Sequence, residues 1–194
     1  MRKIGHAGTL DPLASGLMLM LFGTATKSAE KLTKLDKRYV AQIELGATST
    51  TGDNEGEKTA VSKQVPTSEE VEAAIAQLTG EVTQVPSVYS AIKINGQEAY
   101  KRARAGEKVE MPARQVTVHE LVMINYEYPR LDVEAHVSSG TYIRTLAEDI
   151  GKLLGTGAYL SGLVRTECGG YGLQDAVVLD EADAAQVEQH LRSL

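Results

Sequence analysis

The residue pattern predicts a mixed α+β fold, on three observations. Two stretches alternate with a period of two. Tyr39, Ala41, Ile43 and Leu45 share one strand face, and Leu131, Val133, Ala135 and Val137 oppose Asp132, Glu134, His136 and Ser138. Elsewhere the spacing is helical, with Ile143, Leu146, Ala147, Ile150, Leu153 and Leu154 recurring every three or four residues up to Gly155. The order of these segments lacks the strand–helix alternation of a parallel doubly wound sheet. With 194 residues, 42% of them apolar, the chain can bury a core without covalent staples.

Taken in order, the chain opens on a Gly-rich loop, Gly5 to Gly16, and Leu17 to Phe22 then reads as a buried strand. Thr24 to Leu35 is helical by composition, Tyr39 to Leu45 is the first alternating strand, and Thr48 to Gly56 is a polar loop. Thr67 and Glu70 form a capping box ahead of Val71, Ala74, Ile75 and Leu78, and Gly80 ends that helix. A short helix is expected near Glu98 to Ala105, stopping at Gly106. Val116 to Tyr126 and Leu131 to Ser138 read as strands joined at Tyr128-Pro129-Arg130. Beyond the helix at 143–154, Leu160 to Leu173 reads as a strand interrupted by Gly169-Gly170, and Asp180 caps a last helix through Leu191.

Composition excludes several classes. One cysteine, Cys168, rules out a disulfide framework, and four scattered histidines show no zinc-ligand spacing, so no metal is expected. The longest apolar run, Leu17 to Phe22, is too short to cross a bilayer, and the expectation is a soluble cytoplasmic protein. The net charge of −6 conceals an asymmetry. Residues 1–38 carry seven Lys or Arg against three acids, and residues 89–115 carry six against three. The remainder holds seven against twenty. Two basic islands on an acidic body suit an anionic partner at one face, although solvated helix faces produce similar runs.

The densest chemical signal is Gly5-His6-Ala7-Gly8-Thr9-Leu10-Asp11-Pro12. Glycines let the backbone bend and a ligand approach, and Pro12 biases Asp11 towards an extended conformation that projects its carboxylate. Asp-Pro is also a common helix start, with aspartate as the cap. Further blocks follow: Ser15-Gly16; Ala25-Thr26-Lys27; Lys37-Arg38-Tyr39; Val85-Pro86-Ser87 with Tyr89-Ser90-Ala91-Ile92-Lys93; Ala99-Tyr100; Ala113-Arg114; Ser139-Gly140-Thr141-Tyr142-Ile143-Arg144; and Leu163-Val164-Arg165. In that order, over nearly the whole chain, they resemble the TruB-type pseudouridine synthases, the bacterial tRNA pseudouridine-55 synthases.

The resemblance implies a pseudouridine synthase fold: a mixed, largely antiparallel sheet flanked by helices, with the active cleft across the sheet. It implies isomerisation of a uridine in the tRNA T-loop to pseudouridine, with no cofactor and no obligatory protein partner. Asp11 matches the catalytic aspartate, and a lone carboxylate can act as nucleophile or base, whereas ordinary glycoside hydrolysis wants a carboxylate pair. Tyr39 matches the tyrosine that stacks on the flipped uracil and is a candidate for handling the C5 proton; an anonymous tyrosine there would be a core aromatic. Arg165 matches the arginine that pairs with the aspartate, and otherwise reads as a surface strand arginine. His6 matches a wedge that displaces the base. Lys27, Lys93, Arg114 and Arg144 are expected phosphate or structural contacts. Tyr142 and Ile143 are expected to wall the uracil pocket, or simply to pack a helix.

Residues 1–194 are accordingly expected to form the catalytic domain. The family pattern carries more residues before the Gly-His loop, so an upstream strand is expected to be missing, and the small C-terminal RNA-binding domain to be absent or cut short. Thr50 falls where many relatives carry an acid, and Ser139 where some carry lysine. The alternative reading is a non-catalytic RNA-binding or RNA-chaperone fragment. A guide-RNA-dependent relative fits the compact bacterial pattern less well.

Overall fold

A computed structural model describes residues 3–89, 93–94, 96–107, 109–178 and 183–192. The elements run β1 (Ile4–His6), β2 (Ala14–Gly16), β3 (Met20–Phe22), a 3-10 turn (Gly23–Ser28), α1 (Ala29–Thr33), β4 (Lys37–Leu45), β5 (Ala47–Ser49) and β6 (Lys58–Ala60). They continue through α2 (Ser68–Gln77), β7 (Gly80–Gln84), β8 (Lys93–Ile94), β9 (Gln97–Glu98), α3 (Ala99–Arg104), β10 (Arg114–Glu127) and β11 (Arg130–Val137). The chain closes with α4 (Ile143–Leu153), β12 (Ala158–Cys168), β13 (Tyr171–Gly172), a second 3-10 turn (Leu173–Asp175) and α5 (Ala184–Gln189).

Seven strands form the main sheet in the order β13-β12-β4-β11-β10-β7, with β2 pairing β12. Every pairing is antiparallel except β2 with β12, so the sheet is mixed and largely antiparallel, as expected. The alternation in β4 and β11 sends Ala41, Ile43, Leu45, Leu131, Val133, Ala135 and Val137 to one face. There they meet Val71 and Ile75 of α2 and Leu146 and Ile150 of α4 in the principal core. Full burial of each such Val, Leu or Ile side chain stabilises by roughly 1.5–3 kcal/mol. A smaller cluster, Ala7, Leu21 and Leu32, lies at the β1–β3 pair.

The capping box is present: Thr67 accepts from the Glu70 amide, and the Glu70 carboxylate accepts from the Thr67 amide. The predicted strands at 116–126 and 131–138 are β10 and β11, joined across a cis Tyr128–Pro129 bond. The helix expected at 143–154 is α4, and Gly155 follows it at φ 67°.

Four expectations change. Leu17–Phe22 is not one buried strand: Leu17 donates its amide to the Arg165 carbonyl, and β3 begins only at Met20, burying Leu21 alone. A short apolar run does not by itself specify period or partner. Thr24–Leu35 divides into a 3-10 turn and α1, because Thr26 returns its hydroxyl to the Gly23 carbonyl and tightens the first turn. Loop 48–56 includes part of β5, which pairs with β6. Gly80, at φ 103°, opens β7 after α2 has ended at Gln77. Asp180 lies outside the described residues; Asp183 caps α5.

Candidate active site

Arg165, near the end of β12, stands opposite Tyr39 of β4 on one side and Gly16 of β2 on the other. The glycine is required there: its φ is 99°, and an added Cβ would collide with the Arg165 backbone. Close strand contact brings loop 7–17 against the arginine, which is 2% exposed. Its Nε donates to the Leu17 carbonyl at 2.7 Å, Nη2 to Gly8 at 3.3 Å and Nη1 to Thr9 at 3.5 Å. Arg165 is thus the clamp of the loop that carries Asp11.

The partner of Asp11 is a different arginine. Arg144 Nε lies 3.0 Å from Asp11 Oδ2. No hydrogen bond is aimed along that Nε–H, so the contact is an ion pair without a directed bond. This corrects the expected Asp11–Arg165 pairing, and no such ion pair forms among the described residues. Of the two roles expected for Arg144, phosphate or structural contact, its burial favours the structural one: it is 5% exposed at the start of α4. Its Nη1 donates to the Thr51 carbonyl and to Asp53 Oδ2, at 3.2 and 3.3 Å, and Nη2 donates to the Tyr89 carbonyl at 3.1 Å. Asp53, also buried, is oriented by the Thr51 hydroxyl and the Glu55 amide. Asp11 keeps its side chain 40% exposed. Its carbonyl accepts from the Ala14 amide in a turn, so Asp11-Pro12 does not start a helix.

Tyr39 lies on the core face of β4, partly buried against the principal core. Burial pushes its phenol pKa up; the Arg165 guanidinium opposes this by charge and hydrogen bond, while the nearby Cys168 and Asp11 raise it. The phenol is therefore neutral at physiological pH. Beneath it Lys37 donates to the Thr33 and Leu35 carbonyls, and burial lowers its pKa. Tyr39, Arg165 and Asp11 are thus brought together, with Arg144 and Asp53 as the second half of the cluster.

The other expected residues divide. His6 and Lys27 are exposed, on β1 and the first 3-10 turn. Arg114 opens β10, stacks its guanidinium 5.3 Å from the Tyr142 ring centroid and reaches the Gly140 carbonyl at 3.4 Å. Tyr142 is half-buried; its amide and carbonyl both bond the buried side chain of Gln84, which pins the entry to α4. Ile143 belongs to the principal core, which fits the helix-packing reading. Lys93 begins β8, and its side chain lies outside the described residues, as do residues 90–92 of its motif. Sequence reasoning missed Asp53, Thr51 and Gln84. Asp53 stood in a stretch read as a polar loop, and only its burial distinguishes it.

Comparison with known proteins identifies the family. Residues 1–143 match the model of the TruB family pseudouridylate synthase N-terminal domain, and residues 144–194 match that of the tRNA pseudouridylate synthase B C-terminal domain. By its fold, the chain is of the pseudouridylate synthase class. It belongs to the TruB family. A tRNA pseudouridine synthase B of Cupriavidus metallidurans is 49% identical over 94% of this chain and 59% of its own length. One of Francisella tularensis subsp. novicida is 43% identical over the whole chain and 65% of its own. The chain thus spans about three fifths of the curated relatives it matches. A crystal structure of a Cbf5-Nop10-Gar1 complex superposes with a TM-score of 0.71 at 27% identity, covering 92% of this chain and 44% of that one.

Proposed function

We propose that the chain isomerises a uridine in the T-loop of tRNA to pseudouridine, with Asp11 as the catalytic carboxylate. The observation that carries this reading is the ion pair between half-exposed Asp11 and buried Arg144, itself anchored by buried Asp53. A cation beside Asp11 favours its ionised form, and exposure lets a substrate reach it. The uridine leaves its stack at a cost of roughly a few kcal/mol, which protein contacts to the extruded base and neighbouring phosphates offset. His6 acts as the wedge, and Lys27, Lys93 and Arg114 meet the phosphates. Tyr142 lines the base pocket.

Asp11 then serves the break of the N1–C1′ bond, as nucleophile or as base. The uracil turns in the pocket and C5 bonds to C1′. The C5 proton is lost and N1 gains one, so the reaction is an isomerisation with no redox balance to supply. The raised pKa of Tyr39 favours a stacking role with a neutral hydroxyl over one as a ready base. The catalytic unit spans residues 1–194: α4 and β12, which supply Arg144 and Arg165, belong to the same sheet-and-helix core as β4. An enzyme of this kind works in the cytoplasm, and no described helix is long and apolar enough to cross a membrane.

Release of tritium from a T-stem-loop carrying 5-tritiated uridine tests the reading, with Asp11→Asn beside the unsubstituted chain. Turnover in the unsubstituted chain and its loss in the variant are expected. Equal turnover in the variant would remove Asp11 from catalysis. Stem-loop binding without turnover in both proteins would favour the RNA-binding reading.

A further inference from the structure

The opposite face of the sheet carries a second cluster of chemistry-bearing side chains. Asp36, His119 and His136 each offer a ligand atom, and these atoms lie within 4.8 Å of one another. Three segments supply them. Asp36 immediately precedes β4, where its carbonyl accepts from the Gly169 amide and fixes the backbone. His136 lies on β11, in register with Arg38, so it alternates away from the core-facing Ala135 and Val137. His119 is the extra residue of a β-bulge in β10, between the pairs Val118–Val137 and Glu120–His136. The bulge lets two successive residues share one face, so Glu120 joins His119 on the side away from the core before Leu121 returns to it. On that face the His119 ring centroid lies 4.8 Å from that of His136, and its Nε2 lies 3.2 Å from Asp36 Oδ2.

We infer that Asp36, His119 and His136 form a binding site for a divalent transition-metal ion of the zinc or nickel class. Imidazole nitrogens with one carboxylate oxygen suit these borderline ions, whereas magnesium and calcium prefer all-oxygen shells. Tetrahedral ligands at zinc–nitrogen and zinc–oxygen bond lengths stand about 3.3 Å apart. The Asp36–His119 pair already has that separation, and a side-chain rotation of half-exposed His136 closes the remaining gap. Solvent completes the coordination sphere. The surrounding charge is favourable. Arg38 is engaged with Glu120, Glu134 and Glu167, so together with Asp36 these residues set four carboxylates against one guanidinium. Lys37 points to the other face and is bound to backbone carbonyls. The ion would tie β10, β11 and the entry to β4 together, remote from the Asp11 cluster by the alternation of Arg38 and Tyr39. It has no part in the proposed isomerisation.

Histidine ring NMR on the metal-free chain tests this directly, because the protein has only four histidines. Addition of one equivalent of Zn2+ should shift the His119 and His136 rings and leave His6 and His190 in place; Mg2+ should shift none. By calorimetry, Zn2+ should bind at one equivalent, with affinity falling at least tenfold in His119→Ala and in His136→Ala. The Co2+ form should show visible absorption of a nitrogen–oxygen site, which needs no variant. Zn2+ binding that survives both substitutions, shifts confined to His6 or His190, or no saturable binding at all would each overturn the proposal.

Discussion

Arg144 Nε stands 3.0 Å from Asp11 Oδ2, while Nη1 of the same guanidinium meets Asp53 Oδ2 at 3.3 Å. One cation therefore serves two carboxylates of different exposure. The Asp11 side chain is 40% exposed and that of Asp53 only 6%. The buried acid fixes the arginine, and the arginine fixes the acid that meets solvent.

Asp53→Asn should therefore lower turnover without touching substrate. The neutral amide leaves Arg144 held by carbonyls and Asp11 alone, so its guanidinium loses a defined aim. A fall in kcat of about ten- to a hundredfold is expected, with KM little changed, because misplacement of a reacting group by about 1 Å costs on that order. Single-turnover kinetics on the T-stem-loop separate this from a loss of binding. Arg144→Met should be worse, destabilising the fold by about 3–5 kcal/mol because Asp53 is left as an unpaired buried charge.

Arg165→Met tests the clamp. The carbonyls of Leu17, Gly8 and Thr9 lose their guanidinium donor, at about 2–4 kcal/mol of stability. Urea unfolding should show that loss, and hydrogen exchange should rise at the Ala7 and Leu17 amides, which bond within and beside the loop. Unchanged exchange there would mean that β2 pairing alone holds the loop.

Glu148 provides a pH dependence. Burial raises its carboxyl pKa above the ordinary value, partly opposed by Lys152 and Arg144. The folded state thus retains the proton to higher pH than the unfolded chain, so stability falls as pH rises from the unfolded value through the raised one. Glu148→Gln should melt higher than the wild type at pH 7 and converge with it near pH 4, where both side chains are neutral. Thermal melts across that range read the difference.

Lys27 is exposed and outside the buried clusters. Lys27→Ala should weaken stem-loop binding and reduce the slope of log affinity against log salt by about 1, if one phosphate contact is lost. Binding measured at four or five salt concentrations decides it; an unchanged slope would remove Lys27 from the RNA surface.

Periodicity made β4, β11 and α4 legible because their buried faces repeat within one element, and the Thr67–Glu70 cap because both partners lie within one turn. The loop bearing Asp11 was legible from its glycines and its ordered companion motifs. The small strands were not: β1, β2 and β7 owe their state to partners distant in sequence, a tertiary effect that local composition does not encode.

The linear chain by itself determined which residue types were available: a carboxylate on a Gly-rich loop, a tyrosine on an alternating strand, and arginines before and within the last long strand. Only the tertiary structure decided their pairing. Two arginines of similar local character, Arg144 and Arg165, exchange the roles their positions suggest. The N-terminal turn of α4 points one at Asp11 and Asp53, while the contact of β2 with β12 locks the other onto backbone carbonyls. The same holds for Asp36, His119 and His136, which show no ligand spacing along the chain. Ion pairing and coordination depend on distances in space, and strand register with one bulge sets those distances between residues up to a hundred positions apart.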